Sequence, residues 1–437
     1  MDEAERSDDI CNKRKRSPSY DYEIVTATQW LDGWSSSVID ENIDSSSGNN
    51  NNRDVLPLVD LRSYEQFQKI HLHTDKATPL IVNLPLETLL SGERSCELPP
   101  RHMEFAILVP GANKDLFESR DSQCSIHNLF FASKSSATQQ SRKPWLVRQV
   151  MLENEHLWTE EGLCNNIKRS TDESCENEIS TLSFDPLPRL WKPDPLVSSG
   201  LLPLLKEYCQ TRTSCTVFDL GSGAGRDVCY LAEETKAFYH NSILPQQAAK
   251  EQNSNLQCNR FPLHFVGIDN HKGSARRCEP LWRNHKIDDI TTSHLLNLNK
   301  LDLVNHCFTN KAFRDQTATN EKIHPTIFIY AIRFLNRKLL SYIANSTSCN
   351  DNTDHEHPPL YLPIGTIMAI SHFCKPTKTA EWNFDHPKVS NVLDRDELNT
   401  LFGNNSDGER WTILKNDLIH DGDHGRTLIQ FIARKLA

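Results

Sequence analysis

Short apolar runs closed by charged or turn-forming residues recur along the chain. They lie at Leu56–Leu61, Leu80–Leu84, Glu104–Val109, Val217–Leu220, His264–Asp269, Thr326–Ile332 and Gly365–Phe373. Runs of this length with polar ends mark strands buried on both faces, as in parallel sheets. Tyr64–Ile70, Lys114–Ser119, Leu196–Gln210 and the segment opening at Asp227 have helical character between them. Strands alternating with helices predict the α/β class. Two last runs, Trp411–Ile419 and Thr427–Ala433, flank His420-Asp421-Gly422-Asp423-His424 and predict an antiparallel hairpin. That His/Asp cluster therefore reads as a solvated turn, and no metal site is expected. The weakest strand pattern is Asn299–Leu303, which would bring Asp302 to a strand end.

Four polar stretches break the pattern: Asp44–Asn52, Asn165–Leu182, Asn241–Arg260 and Asn345–Pro359. None has an apolar face to bury, so each is expected to be a surface insertion or a linker. They divide the chain into a disordered start over 1–20, a folded unit over 21–164, a linker over 165–183 and a second unit over 184–437.

The strongest chemical signal is Val217–Asp227, VFDLGSGAGRD. A strand runs into Gly221, Gly223 and Gly225 and then into a helix, which presents backbone N–H groups to a nucleotide-like ligand. A dinucleotide fingerprint needs glycine at 226, where Arg226 stands. The strand also ends on Asp219, which repels a pyrophosphate but suits an ammonium group. Asp269 closes the next apolar run and is placed to accept ribose hydroxyls. The ligand that meets both demands is S-adenosyl-L-methionine.

Composition narrows the class. The chain has 437 residues, 37% of them hydrophobic, enough for two cores. No segment approaches the roughly twenty apolar residues of a membrane span. Thirteen cysteines without a C-x-x-C pair fit scattered thiols in a reducing compartment better than disulfides or zinc. A net charge of −10 disfavours broad nucleic-acid binding. Lys13, Arg14, Lys15 and Arg16 form a basic run with two readings, a nuclear-import signal or a solvated charge run. The expected location is cytoplasmic, with the nucleus as the alternative.

From about Phe184 onward the chain resembles the class I S-adenosylmethionine-dependent methyltransferases, and within them a tellurite-resistance-like branch. The resemblance is carried by Leu190-Trp191-Lys192-Pro193-Asp194-Pro195, Asp219–Asp227, Ile327–Lys338 (IFIYAIRFLNRK) and the tail His424–Lys435. It implies a doubly wound, Rossmann-like sheet, mostly parallel with an antiparallel final strand. It also implies a cofactor site of Asp219, Gly221, Gly223, Gly225 and Asp269. Asp302 would meet the adenine, and Trp191 would serve as a lid. Arg333 and Phe334, at the end of the fourth strand, would face the transferred methyl, with His372 as a candidate base. For Trp191, Arg333, Phe334 and His372 the alternatives are ordinary packing or a surface ion pair.

The first unit resembles a rhodanese-like domain. Asp60-Leu61-Arg62, His71-Leu72 and Leu98-Pro99-Pro100-Arg101 carry that likeness. Active rhodaneses place a cysteine after the strand represented here by Phe105–Val109, whereas this chain has Pro110-Gly111-Ala112-Asn113. Cys124 comes too late and reads as a structural thiol. No sulfur transfer is expected, and the unit is left with docking or substrate guidance. Three functions stay open for the whole. The first is methylation of a small-molecule acceptor, the second methylation of RNA or protein, and the third non-catalytic binding of S-adenosylmethionine.

Overall fold

The computed structural model describes residues 22–30, 56–72, 80–113, 125–131, 144–154, 157–158, 167–169, 184–211, 214–246, 261–309, 326–347, 360–403, 410–423 and 425–436. Lys13–Arg16, Asp44–Asn52, Lys114–Ser119, Cys124 and His424 lie outside them, as do most of the stretches expected as linker and insertions. The chain forms two compact units: Met1–Leu86 with Pro99–Ser170, and Glu87–Leu98 with Thr171–Ala437.

The first unit holds β1 (Glu23–Ile24), β2 (Leu58–Asp60), β3 (Ile70–Leu72), β4 (Ile81–Asn83), β5 (Glu104–Val109), β6 (Leu146–Leu152) and β7 (Ile167–Arg169). Five of these make one sheet in the order β1-β6-β5-β2-β4, every neighbouring pair parallel. The Asp-x-Arg pair is structural. Arg62 is buried, ion-paired to Asp60 at 2.6 Å and to Glu153 at 3.3 Å, and lies over the Trp158 ring. A buried guanidinium is tolerated only with such partners. After β5 the backbone turns through Gly111–Asn113, where Gly111 N–H donates to Glu153 Oε2. One expectation fails here. Ile167–Arg169, assigned to the linker, pairs antiparallel with β3.

The second unit is built on β8 (Cys215–Leu220), β9 (Leu263–Asp269), β10 (Thr291–Leu295), β11 (Thr326–Ile332), β12 (Ile367–Phe373), β13 (Trp411–Asp423) and β14 (Arg426–Lys435). Their order is β10-β9-β8-β11-β12-β14-β13, parallel through β12, with β14 antiparallel to both neighbours. Alternate residues of β8 feed two cores: Val217 packs with Leu231 and Trp282, Phe218 with Val304 and Phe308. Helices thus cover both faces, as a doubly wound sheet requires. The third strand is Thr291–Leu295, earlier in the chain than expected. Asp302 lies instead in the first turn of the helix Leu301–Thr309. The hairpin reverses at Asp423–Arg426 around Gly425, with φ +76°, rather than at Asp421-Gly422. Among the described residues no helix is long and apolar enough to cross a membrane.

Candidate functional site

Strand order in the second sheet reverses between β8 and β11. At such a switch point two neighbouring connections leave in opposite directions and open a crevice at the strands' C-terminal ends. The loop leaving β8 is held tightly. Gly221 and Ser222 N–H donate to the Ile268 carbonyl at 2.8 and 3.0 Å, and Gly225 N–H to Ser222 O at 2.8 Å. Gly221, Gly223 and Gly225 all have positive φ. A Cβ at Gly221 would meet the Phe334 ring at 2.7 Å, and one at Gly225 would meet Cys278 and Trp282 at 2.9 Å. A Cβ at Gly223 would meet nothing within 4 Å. Two glycines thus allow close packing, and the middle one faces open space.

Three carboxylates surround this loop. Asp219 is 3% exposed, and no cation of the described residues pairs with it. Burial, with Asp227 nearby, pushes its pKa well above the usual carboxylate value, although the Tyr330 phenol beside it pulls the other way. Asp227, in the first turn of the helix Arg226–Phe238, accepts Asp194 N–H at 3.2 Å, and burial raises its pKa to about 6. Asp269 is already bonded. Its Oδ2 accepts Gly223 N–H at 2.9 Å and its Oδ1 accepts His271 N–H at 2.7 Å. Each of these oxygens keeps a second lone pair for a ligand hydroxyl.

The facing wall comes from the end of β11. Arg333 has φ +56°, rare for a residue with a side chain, while its N–H donates to Ser371 O at 2.8 Å. Its guanidinium lies 3.9 Å from Asp194 Oδ2 and 4.9 Å from the Phe373 ring centre. Strained backbone of this kind costs about 1–3 kcal/mol and gathers at functional sites. Phe334 lies across Gly221 and, with Arg333, Asp269, Asn270, Leu298 and Asn336, lines a cleft of about 470 Å³. That volume lies within the range of small-ligand sites.

Three expected residues are placed elsewhere. Trp191 is buried in the core with Leu196 and Val197 and does not line the cleft. Asp194, three residues on, reaches the site instead, where Oδ2 accepts the Ser371 hydroxyl at 3.0 Å. His372 is buried, with Nε2 bonded to Asn391 O at 2.8 Å, and burial lowers its pKa to about 4. Strand alternation turns it away from the face that Ser371 serves. Asp302 is not among the residues lining the cleft, where Leu298 and Asn299 stand. Asp194 and Asp227 were missed as site residues. Asp194 carried a signal, being an Asp-Pro at the head of a helix and bonding Leu196 N–H at 2.9 Å.

No protein-family model matches the chain, and no curated protein matches it. Among solved structures it is similar to TehB from Haemophilus influenzae, at 14% identity and TM-score 0.29 over 53% of this chain and 62% of that one. The (4+2)-cyclase SpnF is similar at 10% identity and TM-score 0.31, over 54% of this chain and 80% of the other. Geranyl diphosphate methyltransferase in complex with GPP and sinefungin is similar at 12% and 0.30, over 55% and 77%. The chain thus spans under two thirds of TehB. Likenesses this distant carry no functional argument, which rests on the residues themselves.

Proposed function

We propose that the second unit is an S-adenosylmethionine-dependent methyltransferase. The observation that supports this most is Asp219, a buried carboxylate at the end of β8 without a cation of its own, beside an open Gly223. A buried carboxylate is costly unless a cation joins it, and the ligand's ammonium group is that cation. Asp269 takes the ribose hydroxyls, and the helix Arg226–Phe238 turns its N-terminus toward the ligand. When bound, the cofactor supplies a methyl group already activated on a sulfonium. The protein's own task is then alignment and exclusion of water. Phe334 closes one wall. Arg333, fixed by Asp194, offers a guanidinium fork to an anionic acceptor or a developing oxyanion. The acceptor is a small molecule, and the first unit, rhodanese-like without the reactive cysteine, serves docking or substrate guidance. Labelled methyl transfer into fractionated cell extract tests the acceptor: label in small molecules supports this reading, and label in RNA or protein overturns it. Failure of the folded chain to bind cofactor would remove the methyltransferase reading altogether.

The carboxylates make binding pH-dependent. With Asp227 raised to about 6, it is protonated below that pH and ionised above it. A cationic ligand prefers the ionised site, so binding releases protons in acid and affinity falls with pH. Between pH 7 and pH 5 the dissociation constant is expected to rise about tenfold for one such group. S-adenosylhomocysteine, which keeps the ammonium, should follow the same curve, and adenosine should bind almost independently of pH. Equal pH profiles for the two ligands would contradict the ammonium assignment.

Arg333→Ala is expected to lower kcat/KM about ten- to a hundredfold, with cofactor affinity nearly unchanged. Lysine should restore only part, because it lacks the planar fork. Steady-state kinetics with a calorimetric titration of cofactor separate the two effects. An equal loss in cofactor binding would place Arg333 in cofactor binding instead.

A further inference from the structure

Away from the cleft, the second unit buries a set of metal-binding side chains. Cys229 and Glu233 stand one turn apart on the helix Arg226–Phe238, hence on one face. His285 caps the C-terminal end of the helix Lys272–Asn284. All three are deeply buried, at 0%, 0% and 3% exposure, and their donor atoms lie within 4.8 Å of one another. His285 Nδ1 approaches Glu233 Oε1 to 2.8 Å without forming a hydrogen bond, and Glu233 Oε2 also has no hydrogen-bond partner. Oε1 is oriented by Leu187 N–H at 2.9 Å. The 2.8 Å approach lacks hydrogen-bond geometry, and a cation held between the two side chains would satisfy both of these buried polar groups.

We propose that Cys229, Glu233 and His285 form a buried zinc site. Zinc accepts sulfur, nitrogen and oxygen donors, and three protein ligands leave its fourth position to a small ligand such as water. Two ligands on a tetrahedral zinc stand roughly 3.3–3.7 Å apart, so separations of up to 4.8 Å close by up to about 1.5 Å and the 2.8 Å pair opens by somewhat less. Charge favours the assignment. A zinc ion, a thiolate and a carboxylate sum to zero, while Arg189 stays beside Glu234 and lies 3.7 Å from Glu233 Oε2. The far ring nitrogen of His285 faces Glu97 Oε2 at 4.0 Å, and a carboxylate on that side is what orients a metal-bound imidazole. Binding forms the Zn–S bond and sends the Cys229 thiol proton to solvent. The site would tie the helix that begins at the glycine loop to the end of the helix behind it. It does not depend on the methyltransferase reading.

The test uses the full chain, grown with zinc and dialysed to remove loosely held ion. About one zinc per chain is expected, against markedly less in Cys229→Ser. Cobalt in place of zinc should give thiolate-to-cobalt charge-transfer absorption, lost in Cys229→Ser. Chelation should lower the melting temperature of the parent and not of that variant. If Cys229→Ser fails to fold, Glu233→Gln takes its place, and the cobalt spectrum of the parent decides alone. A folded parent that holds less than about a tenth of an equivalent after refolding in excess zinc overturns the site. So does equal occupancy in a folded Cys229→Ser.

Discussion

Asp219→Ala is expected to weaken binding of S-adenosylmethionine and S-adenosylhomocysteine by a few hundredfold or more. Removing one partner of a buried charge pair costs about 3–5 kcal/mol, because the other charge is left uncompensated. The ligand's ammonium would be that stranded charge. Without ligand the effect should reverse. Burial already drives the Asp219 pKa well up, so the carboxylate is a burden on the empty fold. Its removal should leave the melting temperature unchanged or higher, the usual exchange of function against stability. Asp269→Ala should cost less in affinity, about 1.5–3 kcal/mol, since it removes hydrogen bonds and not the counter-charge. Calorimetry and thermal melts on the same samples check both signs. An unchanged dissociation constant for Asp219→Ala would sink the proposed site.

The glycine loop and both acidic strand ends were legible because each signal is local: an apolar run, a carboxylate and a turn that backbone geometry demands. Asp302 was misplaced because Thr291–Leu295, half polar and only partly buried, hides its strand pattern. For His372 the strand was right but the face was not. In a strand buried throughout, hydrophobicity does not say which residues point to the ligand. In the segment Leu190–Pro195 the indole of Trp191 is the conspicuous side chain, while it is the short carboxylate of Asp194 that meets Ser371 and Arg333. Long-range pairing explains the remaining gaps. Arg226 donates to the carbonyls of Cys96 and Leu98, so Glu87–Leu98 completes the second unit from far upstream. The Cys229 and Glu233 spacing is visible in the helix, but nothing local announces that His285 joins them.

Gly225→Ala and Gly223→Ala should fail in opposite ways. Both positions have positive φ, +72° and +56°, and each substitution costs about 1–2 kcal/mol for that alone. At Gly225 the added methyl also lands 2.9 Å from Cys278 Sγ and from the Trp282 ring, whose Nε1–H donates to the Gly225 carbonyl at 3.1 Å. Overpacking adds about 1–3 kcal/mol. A total near 2–5 kcal/mol should lower the melting temperature by roughly 4–20 °C in a unit of this size. At Gly223 the methyl meets no protein atom within 4 Å. The fold should lose only the backbone term, while the methyl occupies the space in which a ligand would approach the loop. Cofactor binding should therefore fall steeply in Gly223→Ala, and vanish in Gly223→Val, with melting changed by a few degrees in the alanine variant. Thermal melts and calorimetric titrations of the two alanine variants give the comparison. If Gly223→Ala binds cofactor like the parent, the open side of the loop is not where the ligand lies.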